Sequence, residues 1–192
     1  MGRAKAFEEQ DVLEKAMRLF WEQGYEKTSM QDLVEHMGIH RRSLYDTFGD
    51  KHQLFLKSME LYGKQIYAAI VQEVKQASTA REGIHAIFRF VIERSEDRPP
   101  GCMLVNTAVE LGIRDEQADG MANEGFMRTE ELFVELIRKG QETGEFSRSL
   151  EANETAEGLH NALIGLRVLA RTTTNKEKMY RIADMSLKIL DK

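Results

Sequence analysis

Two adjacent arginines, Arg41 and Arg42, stand among His40, Ser43, Tyr45 and Thr47 in a stretch whose other positions, Ile39, Leu44 and Phe48, are apolar. At helical spacing the apolar set shares one side and the arginines and hydroxyls share the other. That chemistry is recognition, not catalysis. An arginine fork reads guanine edges in the major groove of DNA, and Ser, Thr and Tyr hydroxyls suit phosphate oxygens. Lys51, a few residues on, offers a further cation for the same phosphates.

Local signals predict the elements that would carry these groups. Thr28 and Ser29 supply hydroxyls for the free N–H groups of a helix start, and Gln31 or Asp32 stands where a capping box requires its acceptor. Met30, Leu33, Val34 and Met37 then recur on one face. Gly38 ends this helix, because glycine enters the left-handed backbone region of a tight interhelical turn without a Cβ clash. The next helix starts around His40, and Asp50 caps a longer one with Gln53 at its third position. An upstream helix from Ala6 to Gln23 buries Val12, Leu13, Ala16, Leu19 and Phe20 and stops at Gly24. The ensemble reads as a helix-turn-helix for double-stranded DNA.

The joint spacing of Phe20, Gly24, Tyr25, Thr28, Ser29, Leu33, Gly38, Ile39, Leu44, Tyr45, Phe48, Lys51 and Leu54 resembles the DNA-binding domain of the tetracycline-repressor-type (TetR) family of bacterial transcription regulators. The resemblance implies that Thr28, Tyr45 and Lys51 hold phosphates, that Arg41, Arg42 and Ser43 face the groove, and that Ser29 and His40 belong to the same surface. It implies a DNA-binding domain over 1–50 and a ligand-binding and dimerisation domain over 51–192. Departures from the family pattern are Val34 and Met37 where alanine is frequent, Arg42 where a small residue or lysine is common, and Asp46. A carboxylate at Asp46 is unfavourable near phosphates but can accept from cytosine N4.

Composition narrows the fold. The chain has 192 residues, 42% of them hydrophobic, enough for a sizeable core. Its two prolines are adjacent, Pro99 and Pro100, and strand-like alternation is short everywhere, which predicts an all-α chain. The absence of a long apolar run or an apolar leader segment predicts a cytoplasmic protein with no membrane partner. One cysteine, Cys102, cannot form an intrachain disulfide. Charge runs partly against DNA binding, since residues 1–51 carry 8 Lys and Arg against 10 Asp and Glu. Placement matters more than the total, because screening confines each charge to about 10 Å at 0.1 M salt. Arg3, Lys5, Lys27, Arg41, Arg42 and Lys51 are expected on the DNA side, with Glu8, Glu9, Asp11, Glu14 and Glu22 on the upstream helix.

Beyond the DNA-reading part the pattern remains helical. Phe55, Met59, Tyr62, Ile66, Ile70 and Val74 predict a long connecting helix, and Ile84, Ile87, Phe88, Val91 and Ile92 the next. Helices are expected over 102–112, 121–140, 153–171 and 176–190, with a loop over 142–154. In the segment from His160 to Arg171, Ala162 and Gly165 lie among leucines, so the helix is apolar on more than one side. Such a helix is either a core helix or half of an interface. The resemblance favours the second, since family members dimerise through their last two helices, and a twofold dimer reads two half-sites of a palindromic operator.

Pockets in helical domains form between helices and are mostly apolar. Tyr62, Phe88, Cys102, Met103, Asn106, Met121, Phe126, Met127, Phe133 and His160 are the candidates for lining a site for a small apolar effector, against the alternative that each simply fills core. Cys102 follows Pro99, Pro100 and Gly101 at a helix start, where the helix dipole favours a thiolate. The Gly101-Cys102 and Val105-Asn106 pairs resemble a TetR subgroup, and some family members sense oxidants or electrophiles through a cysteine in this neighbourhood. Free cysteines are also among the most buried and inert residues. His85, His160 and Cys102 lack metal-ligand spacing, no cofactor loop is present, and a small helical enzyme using Cys102 with a histidine is the distant alternative.

Overall fold

The computed structural model describes residues 9–93, 98–172 and 175–191, so the expected start of the first helix at Ala6 and the cations Arg3 and Lys5 lie outside it. Among the described residues the secondary structure is helical: α1 (Glu9–Gln23), α2 (Met30–Met37), α3 (Arg41–Phe48), α4 (Lys51–Lys75), α5 (Ala80–Ile92), α6 (Met103–Leu111), α7 (Glu116–Glu142), α8 (Ala152–Thr172) and α9 (Lys176–Leu187). Short 3₁₀ turns follow α6 and α9.

Two hydrophobic cores organise these helices. The first joins α1, α2, α3 and the first half of α4 to α6 and the start of α7, with Phe20 set edge-on to Phe55 at 5.1 Å. The second joins the far half of α4 to α5, α8, α9 and the rest of α7. The two longest helices, α4 and α7, at 25 and 27 residues, place buried residues in both. Helix α1 therefore packs on α6 as well as on α2 and α4.

Capping residues set the boundaries. Ser29 accepts from the Asp32 N–H while Asp32 accepts from the Ser29 N–H, a complete capping box. Gly38 closes α2 at φ 71°, its N–H donating to the Val34 carbonyl. Asp50 and Asp115 cap α4 and α7 in the same way. The Asp115 cap starts α7 five residues earlier than the apolar pattern from Met121 indicates, because the first turn is polar and carries no periodicity.

The loop between α7 and α8 is not merely a surface connection. Phe146 turns inward to 1% exposure against Gly140, whose carbonyl accepts the Glu145 and Phe146 N–H groups. A Cβ on Gly140 would lie 2.2 Å from the Phe146 ring. Gly140→Ala therefore overpacks this junction, which costs about 1–3 kcal/mol. Thermal unfolding of the variant should show a melting temperature lower by about 2–10 °C.

Candidate functional site

The helix-turn-helix exposes the arginines. Arg41 and Arg42 project from the first turn of α3, and Tyr45 lies exposed one turn on, with the Arg41 guanidinium 5.9 Å from its ring. Asp46 sits 3.7 Å from Arg42, so this carboxylate partners the arginine when no DNA is present. His40 is the exposed N-cap of α3 and makes no side-chain capping bond, while Ser43 is half-buried. Lys51 is also half-buried, its ammonium 4.2 Å from the centre of the Tyr25 ring. Ser29 remains at the surface in its capping role, and its hydroxyl and N–H hold the Asp32 carboxyl below its usual pKa.

Thr28 departs from expectation. Its exposure is 0%, and its hydroxyl donates to the Gly24 carbonyl at 2.6 Å. The side chain is spent on the turn after α1 and does not face phosphate.

A second group of polar contacts ties this surface to the rest of the molecule. Glu110, in the last turn of α6, accepts the Tyr25 and Glu26 N–H groups at 3.0 and 2.9 Å. His52 meets Asp115 at 2.7 Å, linking the start of α4 to the cap of α7. Burial raises the Asp115 pKa, but the Ala118 N–H and His52 outweigh it and the net direction is down. Arg171 of α8 donates to the Trp21 and Glu22 carbonyls at the end of α1. None of these couplings shows in the sequence, because each joins residues far apart in the chain.

Two cavities of about 290 Å³ each lie between the helices. One is bounded by Trp21, Tyr62, Phe90, Val91, Pro99 and Ala170 among others, the second by Met59, Tyr67, Ile70, Leu104 and Met121. Ile66, Cys102 and Arg167 line both. Cys102 is the N-cap of α6 and its residue is 3% exposed. Burial and then the adjacent Cys102 raise the Tyr62 pKa well above the ordinary tyrosine value.

Of the residues expected to line a ligand site, Tyr62, Cys102 and Met121 do so. The others are placed differently. Met127 points outward from α7 at 59% exposure, since it falls on the far side of that helix from Phe133 and Leu136. Phe88 packs on Phe133 within the second core, and Met103 is core beneath α1 and α4. Asn106 turns toward the Trp21 carbonyl at 3.5 Å. Phe126 and His160 pack on each other with ring centres 5.8 Å apart and border neither cavity. Arg167 and Trp21 were missed. The available signal was the register of α8, where Leu159, Leu163 and Ala170 place Arg167 on the buried face.

A helix-turn-helix with exposed arginines, carried on a helical body that encloses cavities, defines a DNA-binding regulator. The comparisons with known proteins agree. Residues 12–57 match the model of the bacterial regulatory proteins of the tetR family, and residues 80–185 match the tetracyclin repressor-like C-terminal domain. The transcriptional regulator YezE of Bacillus subtilis is 31% identical over 194 residues, covering 100% of both chains. The Escherichia coli transcriptional repressor ComR is 29% identical over 192 residues, covering 98% of this chain and 91% of ComR. A cysteine-substituted CifR, solved with 26 bp of double-strand operator DNA, aligns with a TM-score of 0.89 at 29% identity, covering 97% of this chain and 98% of CifR. The chain belongs to the TetR family of DNA-binding transcriptional regulators and is not an enzyme.

His160 provides a pH signature. Burial, and secondarily the Arg167 charge, lowers its pKa from 6.5 to about 4, although Glu130 stands 3.3 Å from its Nδ1. A folded-state value below the unfolded one means that the unfolded chain binds the proton first. Stability from the neutral ring is then complete above pH 6.5 and declines as pH falls toward about 4. The melting temperature should drop across that window, and His160→Phe should flatten the decline; an equally steep decline in the variant would assign it to other groups.

Proposed function

We propose that the chain is a homodimeric repressor that leaves a palindromic operator when a small, mostly apolar molecule enters the cavities beside Cys102. The observation that supports this reading is the span of α6, with Cys102 at the cavities and Glu110 on the backbone of the helix-turn-helix. A ligand that repositions the start of α6 acts on Tyr25 and Glu26 at its other end. It must favour the displaced state, because equal affinity for both states shifts nothing. In functional terms residues 1–50 read DNA and residues 51–192 bind ligand and partner, with α4 as a second lever. The cytoplasm is where such a regulator meets its operator.

Dimerisation through α8 and α9 is supported by what those helices leave uncovered. Val168, Met185 and Ile189 are exposed apolar side chains, and a Cβ at Gly165 would meet nothing within 4 Å. The Gly101-Cys102 and Val105-Asn106 pairs mark the proposed subgroup. An electrophile switch at Cys102 is the competing reading. The packing of this 3%-exposed residue against Tyr62 favours reversible ligand binding over it.

Arg41, Arg42, Ser43 and His40 are the proposed base-facing set, with Tyr45, Lys51 and Ser29 nearer phosphates. Once the operator is recovered from genomic fragments retained by the purified protein, Arg42→Ala should cost about 1–3 kcal/mol on it and relax base choice at one position. Lys51→Ala should weaken operator and random DNA alike and reduce the salt slope by about 1. Equal losses for both variants on both DNAs would refute the division of roles.

The interface has its own test. Gly165→Arg together with Met185→Arg places cations on both helices at positions that are open in the single chain. Sedimentation should then report a monomer with unchanged helicity that no longer holds a two-half-site operator. A dimer of undiminished mass would place the interface elsewhere.

A further inference from the structure

Arg167 is a buried arginine on the inward face of α8. It is 5% exposed and stands between the two cavities, lining both. Among the described residues no hydrogen bond or ion pair engages its guanidinium. Its guanidinium nitrogens open onto the cavities, where water or an entering group reaches them. Structural arginines are normally paired when buried, so an unpaired one facing a cavity indicates a partner that arrives from outside.

The nearby carboxylates are already engaged. In the first cavity Glu73 lies 3.9 Å from Arg89, and Glu93 accepts from Lys176 and Tyr180 at 2.7 Å each. In the second, Glu60 pairs with Lys64 at 2.5 Å and Glu124 pairs with Arg128. A second donor is also unused. The Trp21 indole N–H is buried without an acceptor, and Trp21 lines the first cavity with Arg167. Its ring stands edge-on to Tyr62 at 4.8 Å, and the Tyr62 oxygen already interacts with Cys102 and the Met103 N–H. Among the described residues the cavity wall thus offers a guanidinium fork with no carboxylate partner, with the unsatisfied indole N–H of Trp21 buried behind it, beside the apolar surfaces of Ile66, Val91 and Ala170.

We infer that the effector is a small monocarboxylate with an apolar body, its carboxylate held by Arg167 and within reach of the Trp21 N–H, its body in the cavity beside Tyr62 and Ile66. The planar guanidinium matches a carboxylate through two parallel hydrogen bonds. One unpaired cation neutralises one negative charge, and a cavity of about 290 Å³ admits a small molecule only. The inference rests on the ligand-release reading above and specifies the chemistry of the ligand.

Trp21 is the only tryptophan of the chain, so its fluorescence reports occupancy directly. The full-length protein is titrated with benzoate, phenylacetate and hexanoate, and in parallel with their methyl esters, following Trp21 emission, melting temperature and release of operator DNA. At least one acid should perturb the emission and raise the melting temperature, with its ester about tenfold weaker or worse, the loss expected for a charge-assisted hydrogen bond. Arg167→Met should abolish the preference for the acid while the ligand-free melting temperature stays equal or rises, because an unpaired buried charge has been removed. Arg167→Lys should restore part of the preference. A purely structural arginine would instead lower the melting temperature on replacement and leave any acid preference intact. Esters that bind as well as acids, no binding by any probe, or undiminished acid binding in Arg167→Met would each overturn the inference. The acid-against-ester comparison in the unaltered protein holds whether or not a variant folds. Acids that bind through Arg167 without releasing operator would overturn ligand release and uphold the carboxylate site. Esters that release operator where acids do not would uphold release and overturn the site.

Discussion

The Glu110 carboxylate is the contact that ties the corner between α1 and α2 to α6. It accepts two consecutive backbone N–H groups, those of Tyr25 and Glu26, at the corner between α1 and α2. Charge-assisted bonds to backbone donors are among the stronger protein hydrogen bonds. The corner is shaped to receive it. Gly24 adopts φ 87°, and a Cβ there would lie 2.7 Å from a Glu110 oxygen, so both the turn and the close approach require glycine. Glu110 stands in the last turn of α6, a helix of nine residues from Met103 to Leu111 and about 13 Å long. The same helix thus begins at the cavities beside Cys102 and ends on the backbone of the helix-turn-helix, and His52 with Asp115 provides a parallel link from α4 to α7.

A net charge of −5 would seem to disqualify a DNA-binding chain. The distribution resolves the difficulty. Arg41 and Arg42 stand exposed on α3 and Lys51 is held on the Tyr25 ring, whereas the acidic residues of α1, such as Asp11 and Glu22, are exposed on a separate helix. At ordinary salt the repulsion from the latter fades within about 10 Å. Asp46 adds a graded cost by holding Arg42 in the absence of DNA, so engaging a guanine means exchanging one partner for another. An interface arranged this way gains little from random phosphates, which suits a protein that must find one operator among many sites.

Elements with strong local signals were legible in the sequence. Capping boxes, Gly38 and the apolar stripes located α2, α3 and α4 to within a residue or two, because those signals act between neighbours three or four positions apart. The ligand site was legible only in part. Tyr62, Cys102 and Met121 line cavities, but Phe88, Met103 and Phe133 have the same residue character and fill core instead. Which apolar residue borders empty space is decided by how helices from distant parts of the chain cross. Thr28 shows the opposite error: a hydroxyl beside a DNA-reading helix was assigned to phosphate, while an acceptor four residues back had already claimed it.

The helix α8 joins the two halves of the regulatory problem. Its inward face carries Arg167 and the neutral His160, and its outward face carries Gly165 and Val168, the surface proposed for the partner. Among the described residues the inward face holds a cation with no hydrogen bond and a His160 nitrogen without a partner, and the Trp21 indole N–H of α1 is in the same condition as the latter. These are unfavourable contributions that the packing of Leu159, Leu163, Leu166 and Ala170 on the same helix must offset. A bound anion would remove the largest of them and strengthen whichever arrangement of α8, α6 and α4 surrounds it best. Differential affinity of that kind is what a population shift requires.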